Sequence, residues 1–389
     1  MLARKEEKHI LFCLKHFPAV AILGARQVGK TTLAKHLAGA LKKKTVYLDL
    51  ELPEDLLRLR NLQEFFSANE KNCVIIDEVQ RMPELFPVLR AVIDRYRKPC
   101  RFLLLGSASP ELLRQSSETL AGRIIYTELP PFTLGEVNGK KPLHHLWLRG
   151  GFPSAFLAKN PEALLQWQKS FVTTYVERDL RNLGLQASPE TLIKLLTMVA
   201  HNQGQEQHYS QYAMSLGISV PSVTKYLDFF ENSFIVRRLS PFFSNVKKRL
   251  VKTPRLYIRD SGILHYLLNI KSYNDLLKHP VAGYSWEGFV IEQIISTAKD
   301  KYSYAFYRTQ DGSECDLVLL KSGKPFTCVE IKLADAPTPA KGFYNSIKDL
   351  QSKRNFIITP SNKESFALDK QVTITGITEF LENKFLKKD

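Results

Sequence analysis

The most specific chemical signal in the chain is a glycine-rich run that ends in lysine and threonine. Its sequence is Gly24-Ala25-Arg26-Gln27-Val28-Gly29-Lys30-Thr31, which has the spacing G-x-x-x-x-G-K-[ST]. The run follows a short apolar strand and opens a predicted helix, and the backbone amides of such a loop surround phosphate oxygens. We therefore predict an ATP site in which Lys30 reaches the β- and γ-phosphates and the Thr31 hydroxyl binds Mg²⁺. The predicted nucleotide-contacting set is Gly24, Ala25, Arg26, Gln27, Val28, Gly29, Lys30, Thr31 and Thr32.

A second motif supplies two carboxylates. The apolar run Cys73–Ile76 ends in Asp77 and Glu78. At the end of a strand near the phosphate-binding loop, Asp77 would hold Mg²⁺ and Glu78 would polarise the attacking water. The alternative is that both acids cap the next helix, predicted over residues 83–96, by interacting with its dipole.

Two further candidates follow from the order of the predicted strands. Ser107 comes just after the apolar run Phe102–Leu105, where a small polar group could sense the γ-phosphate. Arg123 precedes the strand beginning at Ile124 and could reach the γ-phosphate of a neighbouring subunit, which would require a homo-oligomer. The alternatives are a turn or N-cap serine and an arginine in a surface or local salt bridge.

The composition limits the classes of protein. The chain has 389 residues, 44% hydrophobic and 24% charged, which is typical of two or three globular domains and excludes extensive disorder. No apolar run approaches the ~20 residues that span a bilayer, and five scattered cysteines indicate no disulfide framework. We expect a cytoplasmic protein that does not insert into membranes. The net charge of +16 favours a polyanionic partner, with a solvated basic surface as the alternative.

Pattern changes along the chain predict four regions. Alternating strands and helices indicate a parallel-sheet ATPase core over residues 1–149, with strands that are buried on both faces. A helical lid or linker over 150–205 follows the glycine-rich edge at Gly150. A winged-helix domain is predicted over 206–283 and an α/β domain over 284–389.

The winged-helix prediction depends on a helix-turn-helix pattern. A helix from Tyr209 to Leu216 ends at Gly217, and a second helix restarts after Ser219 and is followed by a strand. Residues 220–259 contain nine basic and two acidic residues, for a net charge of +7. The predicted nucleic-acid contacts, with DNA as the expected partner, are Lys225, Lys247, Lys248 and Arg249. The alternative is a packing module that touches no nucleic acid.

The last region contains a possible second metal site. Period-two alternation places Glu330 and Lys332 on one face of a strand, near Asp316 on the preceding strand. Glu287 lies at the edge of the apolar stripe of a preceding amphipathic helix, whereas Glu292 points to the opposite side. The pattern Asp…Glu-x-Lys is similar to the core of restriction-endonuclease-like nucleases, which implies Mg²⁺ held by Asp316, Glu330 and Glu287 and a catalytic Lys332. The alternative is a solvent-facing Glu330–Lys332 pair.

Several of these motifs together resemble a known family. The phosphate-binding run, Ile76–Gln80, Leu105–Ser109 and Leu120–Arg123 look like the prokaryotic AAA-type ATPases that carry a C-terminal domain of unknown function. Gly150-Gly151-Phe152-Pro153 and Arg178-Asp179-Leu180 look like that family's central motifs. The resemblance implies an AAA+ core, a helical and winged-helix middle and a nuclease-like end.

The sequence therefore predicts an AAA+-type ATPase that uses ATP and Mg²⁺ and acts on nucleic acid. The first alternative is a regulatory ATPase whose C-terminal domain is catalytically inactive and binds a protein. A second is an ATPase that uses its basic patch at a membrane surface.

Overall fold

The computed structural model of the chain describes residues 2–109, 122–243, 252–334, 337–360 and 365–382. An α/β unit lies at each end of the chain, and a mainly helical unit lies between them. Within the described ranges, no helix is long and apolar enough to cross a membrane.

The first unit is built on a parallel five-stranded sheet with the order β2-β3-β4-β1-β5. Its strands are β1 Ala19–Leu23, β2 Thr45–Asp49, β3 Cys73–Asp77, β4 Phe102–Gly106 and β5 Ile124–Glu128. Its helices are α1 Glu6–His16, α2 Lys30–Ala40, α3 Pro53–Arg58, α4 Leu62–Ala68 and α5 Leu85–Arg95. Every residue of β1, β3 and β4 is buried, which confirms the predicted parallel sheet covered on both faces. The loops that follow these three strands therefore meet at one edge of the sheet.

The middle unit is helical with one antiparallel ribbon. Its helices are α6 Leu134–Val137, α7 Leu143–Arg149, α8 Pro153–Phe156, α9 Pro161–Thr174, α10 Leu180–Asn182, α11 Pro189–His201, α12 Tyr209–Leu216, α13 Val220–Asn232, α14 Ser261–Leu267 and α15 Tyr273–Lys278. The ribbon strands are β6 Val236–Leu239 and β7 Arg255–Ile258. A π-helical turn, Tyr175–Asp179, connects α9 to α10. The helices α12 and α13 occur where the sequence predicted them, and the strand after them begins at Val236, two residues later than the predicted Phe234.

The glycine-rich edge at residue 150 is packed against the middle unit. The backbone N–H of Gly151 donates to Asp260 Oδ2 over 2.7 Å, and Asp260 also caps α14 by accepting from Ile263 N at 3.0 Å. Upstream, His265 on α14 donates from Nδ1 to the backbone oxygen of Leu148 on α7 over 2.9 Å. We therefore describe α7 with the middle unit, and the predicted domain boundaries stay predictions.

The last unit has a six-stranded sheet with the order β12-β13-β11-β10-β9-β8. Its strands are β8 Ser303–Arg308, β9 Glu314–Lys321, β10 Lys324–Ile331, β11 Arg354–Thr359, β12 Phe366–Ala367 and β13 Val372–Gly376. Its helices are α16 Ala282–Ala298, α17 Lys341–Leu350 and α18 Ile377–Glu382. Strands β8, β9 and β10 form an antiparallel meander, and β11 pairs in parallel with both β10 and β13.

The predicted amphipathic character of α16 is wrong. All residues from Ser285 to Ile294 are buried, including Glu287 and Glu292. The reason is that α16 lies between the last sheet and the middle unit, where both of its faces are covered. Its two buried carboxylates therefore need partners from neighbouring elements.

Candidate functional site: a phosphate-binding loop and its surroundings

The phosphate-binding loop connects the end of β1 to the start of α2. Gly24 and Gly29 have φ angles of +152° and +96°, a backbone region that favours glycine. A Cβ atom at Gly24 would lie 2.4 Å from the backbone oxygen of Leu129, so a larger residue there would push the loop off the segment after β5. Gly24 is thus required by the close approach of two backbones, and Gly29 is favoured by its positive φ angle alone.

Lys30 points into this loop. Its Nζ donates to the backbone oxygens of Gly24 and Ala25, both at 2.9 Å, and the residue is 5% exposed. Burial lowers the pKa of Lys30, and the nearby carboxylates of Glu78 and Asp77 oppose that decrease. Two neutral carbonyls are weak partners for an ammonium ion, so a phosphate oxygen in the loop would give it a stronger, charge-assisted hydrogen bond. The residues present therefore fit a nucleotide phosphate.

The two predicted Mg²⁺ ligands of the ATP site are in contact. Thr31 Oγ1 donates to Asp77 Oδ2 over 2.6 Å, and Asp77 is 3% exposed. A hydroxyl and a carboxylate at this spacing suit the oxygen coordination of Mg²⁺. Tyr47 on β2, which the sequence did not identify, donates to the same carboxylate oxygen over 2.7 Å. Burial, followed by this hydrogen bond, raises the pKa of Tyr47, which keeps its hydroxyl a donor at neutral pH.

Glu78, the predicted base, is held in an uncommon conformation next to the predicted sensor. Its φ is +56°, in the left-handed region, which residues at functional sites adopt more often than others. The Gln80 amide donates to Glu78 Oε2 and, over 2.9 Å, to Ser107 Oγ. The Ser107 hydroxyl donates in turn to Glu78 Oε2 over 3.4 Å. The carboxylate that would polarise water is therefore connected to the residue expected to sense the γ-phosphate.

An ion-pair cluster joins the loop to the π-helical turn. Arg26 donates to Asp179 and, over 3.3 Å, to Glu51 Oε1. The same Glu51 oxygen accepts from Arg178 at 3.1 Å and from Arg81 at 3.4 Å. Burial raises the pKa of Asp179, and the charge of Arg26 opposes that rise. A side chain predicted to contact nucleotide is thus held by a carboxylate of the middle unit.

A second contact links the same two elements. Trp167 on α9 donates its indole N–H to Gln27 Oε1 over 2.9 Å. Two adjacent residues of the loop, Arg26 and Gln27, are therefore bound by α9 and the turn that extends it. A change in the loop on nucleotide binding would therefore alter its contacts with this part of the middle unit directly.

Asp179→Asn is expected to increase ATP affinity by about tenfold, which corresponds to about 1.4 kcal/mol of binding free energy. The reason is that the carboxylate of Asp179 competes with phosphate for the Arg26 guanidinium, whereas asparagine keeps the shape without the charge. Calorimetric titration with ATP measures the effect. Glu177→Gln is the control, because it removes the same charge from an exposed position of the same π-helical turn. Unchanged or weaker ATP binding by a folded Asp179→Asn variant would contradict the prediction.

Arg123 lies at the opposite edge of the sheet from the loop of its own chain. Ile124 at the start of β5 pairs with Ala19 at the start of β1, whereas the loop follows the end of β1. Arg123 Nε and Nη2 donate to Asp94 Oδ1 and Oδ2 at 2.7 and 2.9 Å, so the predicted local salt bridge is present. Its position leaves only the site of another subunit for a role in hydrolysis, and that role stays a prediction.

The C-terminal residues predicted to bind metal do lie near one another. Asp316 on β9 accepts from Ile331 N on β10 over 2.8 Å. Glu330 on β10 is 5% exposed and pairs at 2.7 Å with Lys332, whose side chain is 38% exposed, so only the lysine of this pair faces solvent.

A guanidinium occupies this acidic cluster. Arg255 Nη1 lies 3.4 Å from Glu287 Oε1 and 3.7 Å from Asp316 Oδ1, and Nη2 pairs with Glu314. Burial raises the pKa of Glu287 to about 8, with repulsion from Asp316 as the next cause. Among the described residues, no group of three or more His, Cys, Asp or Glu side chains is arranged to hold a metal ion.

Mg²⁺ therefore does not fit the C-terminal cluster as it is arranged here. The sequence predicted that Asp316, Glu330 and Glu287 would share an ion beside Lys332. The physical reason for the difference is that a positive group from β7 already lies between two of these carboxylates. No hydrolytic step through a metal at this site follows from the structure.

The predicted basic surface of the middle unit is smaller than its sequence suggests. Lys225 on α13 is exposed, and Lys247, Lys248 and Arg249 lie outside the described residues. Four arginines of residues 220–259 are paired with carboxylates, most of them on other elements: Arg237 with Glu292, Arg238 with Asp228 and Glu231, Arg255 with Glu287, Glu314 and Asp316, and Arg259 with Glu128 and Glu292. The net charge of +7 counted along the sequence is therefore partly neutralised in the fold.

Comparison with known proteins agrees with the ATPase reading of the first unit. Residues 16–138 match a family model described as an AAA domain. Residues 140–274 and 282–380 match two models described as domains of unknown function, DUF8612 and DUF4143. The matched phosphate-binding loop on a parallel sheet defines the first unit as an AAA-type P-loop ATPase domain.

The chain belongs to the family of two mycobacterial proteins. The uncharacterized proteins Rv2008c of Mycobacterium tuberculosis and Mb2031c of Mycobacterium bovis are each 40% identical to it over 368 residues, which cover 95% of this chain and 82% of theirs. An uncharacterized protein of Haemophilus influenzae is 22% identical over 307 residues, covering 70% of this chain and 75% of its own.

Solved structures with partial similarity include a Walker-type ATPase and a branch migration motor. A Walker-type ATPase of Pyrococcus abyssi has a TM-score of 0.46 at 17% identity, covering 69% of this chain and 96% of its own. The RuvB Holliday junction branch migration motor of Thermotoga maritima has a TM-score of 0.32 at 18% identity, covering 61% of this chain and 90% of its own.

Sequence reasoning assigned no role to several residues that the structure brings to these sites. Among them are Tyr47, Gln80, Asp179 and Arg255. Asp179 lies in one of the motifs that resemble the ATPase family. That motif indicated that the residue is important but did not indicate its role. Gln80 follows the Asp77-Glu78 pair closely enough to have been suspected. Tyr47 and Arg255 carry no local signal, because their partners are 30 or more residues away.

Proposed function

We propose that this protein hydrolyses ATP and uses the nucleotide state to change how its middle unit binds nucleic acid, with DNA as the expected ligand. The observation that carries the proposal is a contact between the ATP site and α13. Ser109, two residues after the predicted sensor Ser107, donates from its backbone N–H to Asn232 O over 2.8 Å and from its hydroxyl to Asn232 Oδ1 over 2.7 Å. Asn232 is the last residue of α13.

A second route reaches the same end of α13. Tyr175, at the start of the π-helical turn, is within 2.6 Å of Ser233 Oγ through its hydroxyl. The end of that turn, Asp179, pairs with Arg26 in the phosphate-binding loop. Changes at the γ-phosphate sensor and in the loop would therefore converge on the same helix end, which supports mechanical coupling between nucleotide and α13.

The arrangement around α13 supports a winged-helix assignment. Helix α11 is followed by a single bridge between Glu206 and Arg255, then by α12, α13 and the ribbon of β6 and β7. In a helix-turn-helix, the second helix is the one that enters the major groove of DNA. Here that helix is α13, and Lys225 is exposed on it.

Lys225→Ala is expected to weaken DNA binding by a similar factor for all sequences and to reduce the slope of log Kd against log salt by about one unit. The reason is that a lysine contact to a phosphate releases about one counterion. Fluorescence anisotropy with labelled duplex DNA at several salt concentrations measures both. Lys194→Ala is the control, because Lys194 is an exposed lysine of α11 in an ion pair with Glu190.

Two outcomes would reject the nucleic-acid proposal. DNA binding that is absent, or that does not depend on salt, would favour the regulatory ATPase that binds a protein. Binding that ATP alters equally in wild type and in a variant combining Asn232→Ala with Tyr175→Phe, which removes the side-chain bonds of both routes, would remove the proposed coupling through α13.

For the C-terminal unit we propose a restriction-endonuclease-like fold without nuclease activity in this arrangement. The order α16, the meander β8-β9-β10, α17 and the parallel strand β11 supports the fold assignment. The guanidinium of Arg255 among the carboxylates favours the inactive alternative. Incubation of the whole protein with plasmid DNA, Mn²⁺ and ATP tests this, and specific cleavage lost in Lys332→Ala would overturn it.

A further inference from the structure

We propose that Arg255 is a built-in occupant of the C-terminal acidic cluster and that its removal converts the cluster into a divalent-cation site. The inference extends the proposal that the C-terminal unit is inactive, and it is independent of ATP hydrolysis and of DNA binding. In it, the ribbon of the middle unit determines whether the last unit can take a metal ion.

The position of the guanidinium carries the first step. A single nitrogen, Arg255 Nη1, contacts Glu287 Oε1 at 3.4 Å and Asp316 Oδ1 at 3.7 Å. These carboxylates come from α16 and β9, so the guanidinium bridges a helix and a strand. A cation shared by the same two oxygens would have to lie where this nitrogen lies, and the two occupants therefore exclude each other.

The side chain is also held firmly. Arg255 is 3% exposed, its second terminal nitrogen pairs with Glu314, and its guanidinium carbon lies 4.7 Å from the centroid of the Phe306 ring. A planar guanidinium suits this combination of two-sided charge pairing and stacking on an aromatic face. These contacts hold the Arg255 side chain in one buried position, unlike an exposed arginine that lies near an acidic surface.

The carboxylates keep unused capacity for a cation. Among the described residues, Glu330 Oε2 is buried without a hydrogen-bond partner, although its other oxygen pairs with Lys332. Glu287 and Asp316 are both buried and would repel each other without a positive group between them. Removing the guanidinium thus leaves buried negative charges that only protonation or another cation can balance.

Arg255 belongs to the middle unit, whereas the carboxylates belong to the last unit. Its position in the cluster therefore depends on how these two units pack against each other. Arg255 is the first residue of β7, and its backbone bridges to Glu206 before α12. The other ribbon strand, β6, is tied to α16 by the pair Arg237–Glu292. A displacement of the ribbon from α16 would withdraw Arg255 from the cluster.

The test measures Mn²⁺ binding to the full chain by calorimetry and by electron paramagnetic resonance. Every protein carries Asp77→Asn and is kept free of nucleotide, so that the ATP site does not contribute. We expect the chain with Arg255 to bind no Mn²⁺ at the C-terminal cluster at millimolar metal. Arg255→Met should gain one Mn²⁺ per chain, and adding Asp316→Asn should abolish the gain.

Arg237→Met is the matched control. It also removes a ribbon arginine that pairs with a buried glutamate of α16, but its partner Glu292 is not part of the cluster. We expect no gain of Mn²⁺ binding in this variant. A gain equal to that of Arg255→Met would show that loosening the ribbon in general opens the site, and it would overturn the specific role of Arg255.

Two other results would overturn the proposal. One is Mn²⁺ binding by the parent chain that Asp316→Asn removes, because the site would then be open with Arg255 present. The other is a folded Arg255→Met variant that binds no Mn²⁺. If Arg255→Met does not fold, Arg255→Met with Glu287→Gln removes one charge of each sign, and this pair should fold and bind Mn²⁺ weakly through Asp316 and Glu330. A folded pair without binding overturns the proposal as well.

Discussion

Glu78→Gln is expected to leave ATP binding intact and to slow ATP hydrolysis by at least ~100-fold, the usual contribution of a positioned general base. The Glu78 carboxylate follows Asp77, the predicted Mg²⁺ ligand, and is connected to Ser107 directly and through Gln80. Glutamine preserves most of this hydrogen bonding but cannot polarise water as a carboxylate does. Steady-state phosphate release and equilibrium ATP binding, measured on the same preparation, separate the two effects.

Two variants control this experiment. Lys30→Ala should abolish ATP binding itself, because the phosphates lose the only lysine of the loop. Glu70→Gln, which changes a carboxylate paired with Lys98 away from the loop, should behave as wild type. Normal ATP hydrolysis by Glu78→Gln would remove Glu78 from its assigned role.

Arg123→Ala is expected to reduce ATP hydrolysis by about 10³-fold, the lower end of what an arginine finger contributes, if Arg123 completes the site of a neighbouring subunit. Its place at the edge of the sheet opposite its own loop leaves no role at its own nucleotide. Mixing Arg123→Ala with Lys30→Ala should restore part of the activity. The restored sites are those in which the intact Lys30 of one subunit faces the intact Arg123 of the other.

The control for Arg123 uses its ion-pair partner. Asp94→Ala breaks the same pair but leaves the arginine, so it should retain hydrolysis if the cation is what matters. Failure of the mixture to recover activity, or an undiminished specific rate for wild-type protein diluted to monomers, would refute the shared site.

The sequence was sufficient for the ATPase core because that core is built from local patterns. Continuous apolar runs such as Cys73–Ile76 predict strands buried on both faces, and parallel strands bring their carboxyl ends to one edge. The contact between Thr31 and Asp77, 46 residues apart, follows from that geometry and is present. The same logic placed Ser107 at this edge of the sheet, and in the structure its hydroxyl donates to Glu78.

Local patterns failed where two units pack against each other. The periodicity of α16 predicted one buried face, but both faces of the helix are buried. Periodicity shows which face is polar, and it does not show whether another unit covers that face. Glu292 on the polar face is buried against Arg237 and Arg259 instead of facing solvent. Likewise, the charge of residues 220–259 was counted without the carboxylates that other elements bring to it.

The amino-acid sequence by itself determined that this protein has a phosphate-binding loop, the carboxylate pair Asp77 and Glu78, and strands in an order that brings them together. Spacing within a segment encodes these features, since each depends on neighbours along the chain. Only the tertiary structure decided what lies next to the sites: Asp179 beside Arg26, Asn232 beside Ser109, and Arg255 between Glu287 and Asp316. The physical reason is that a buried charge takes its partner from whichever element folds against it, and no pattern within one segment records that choice.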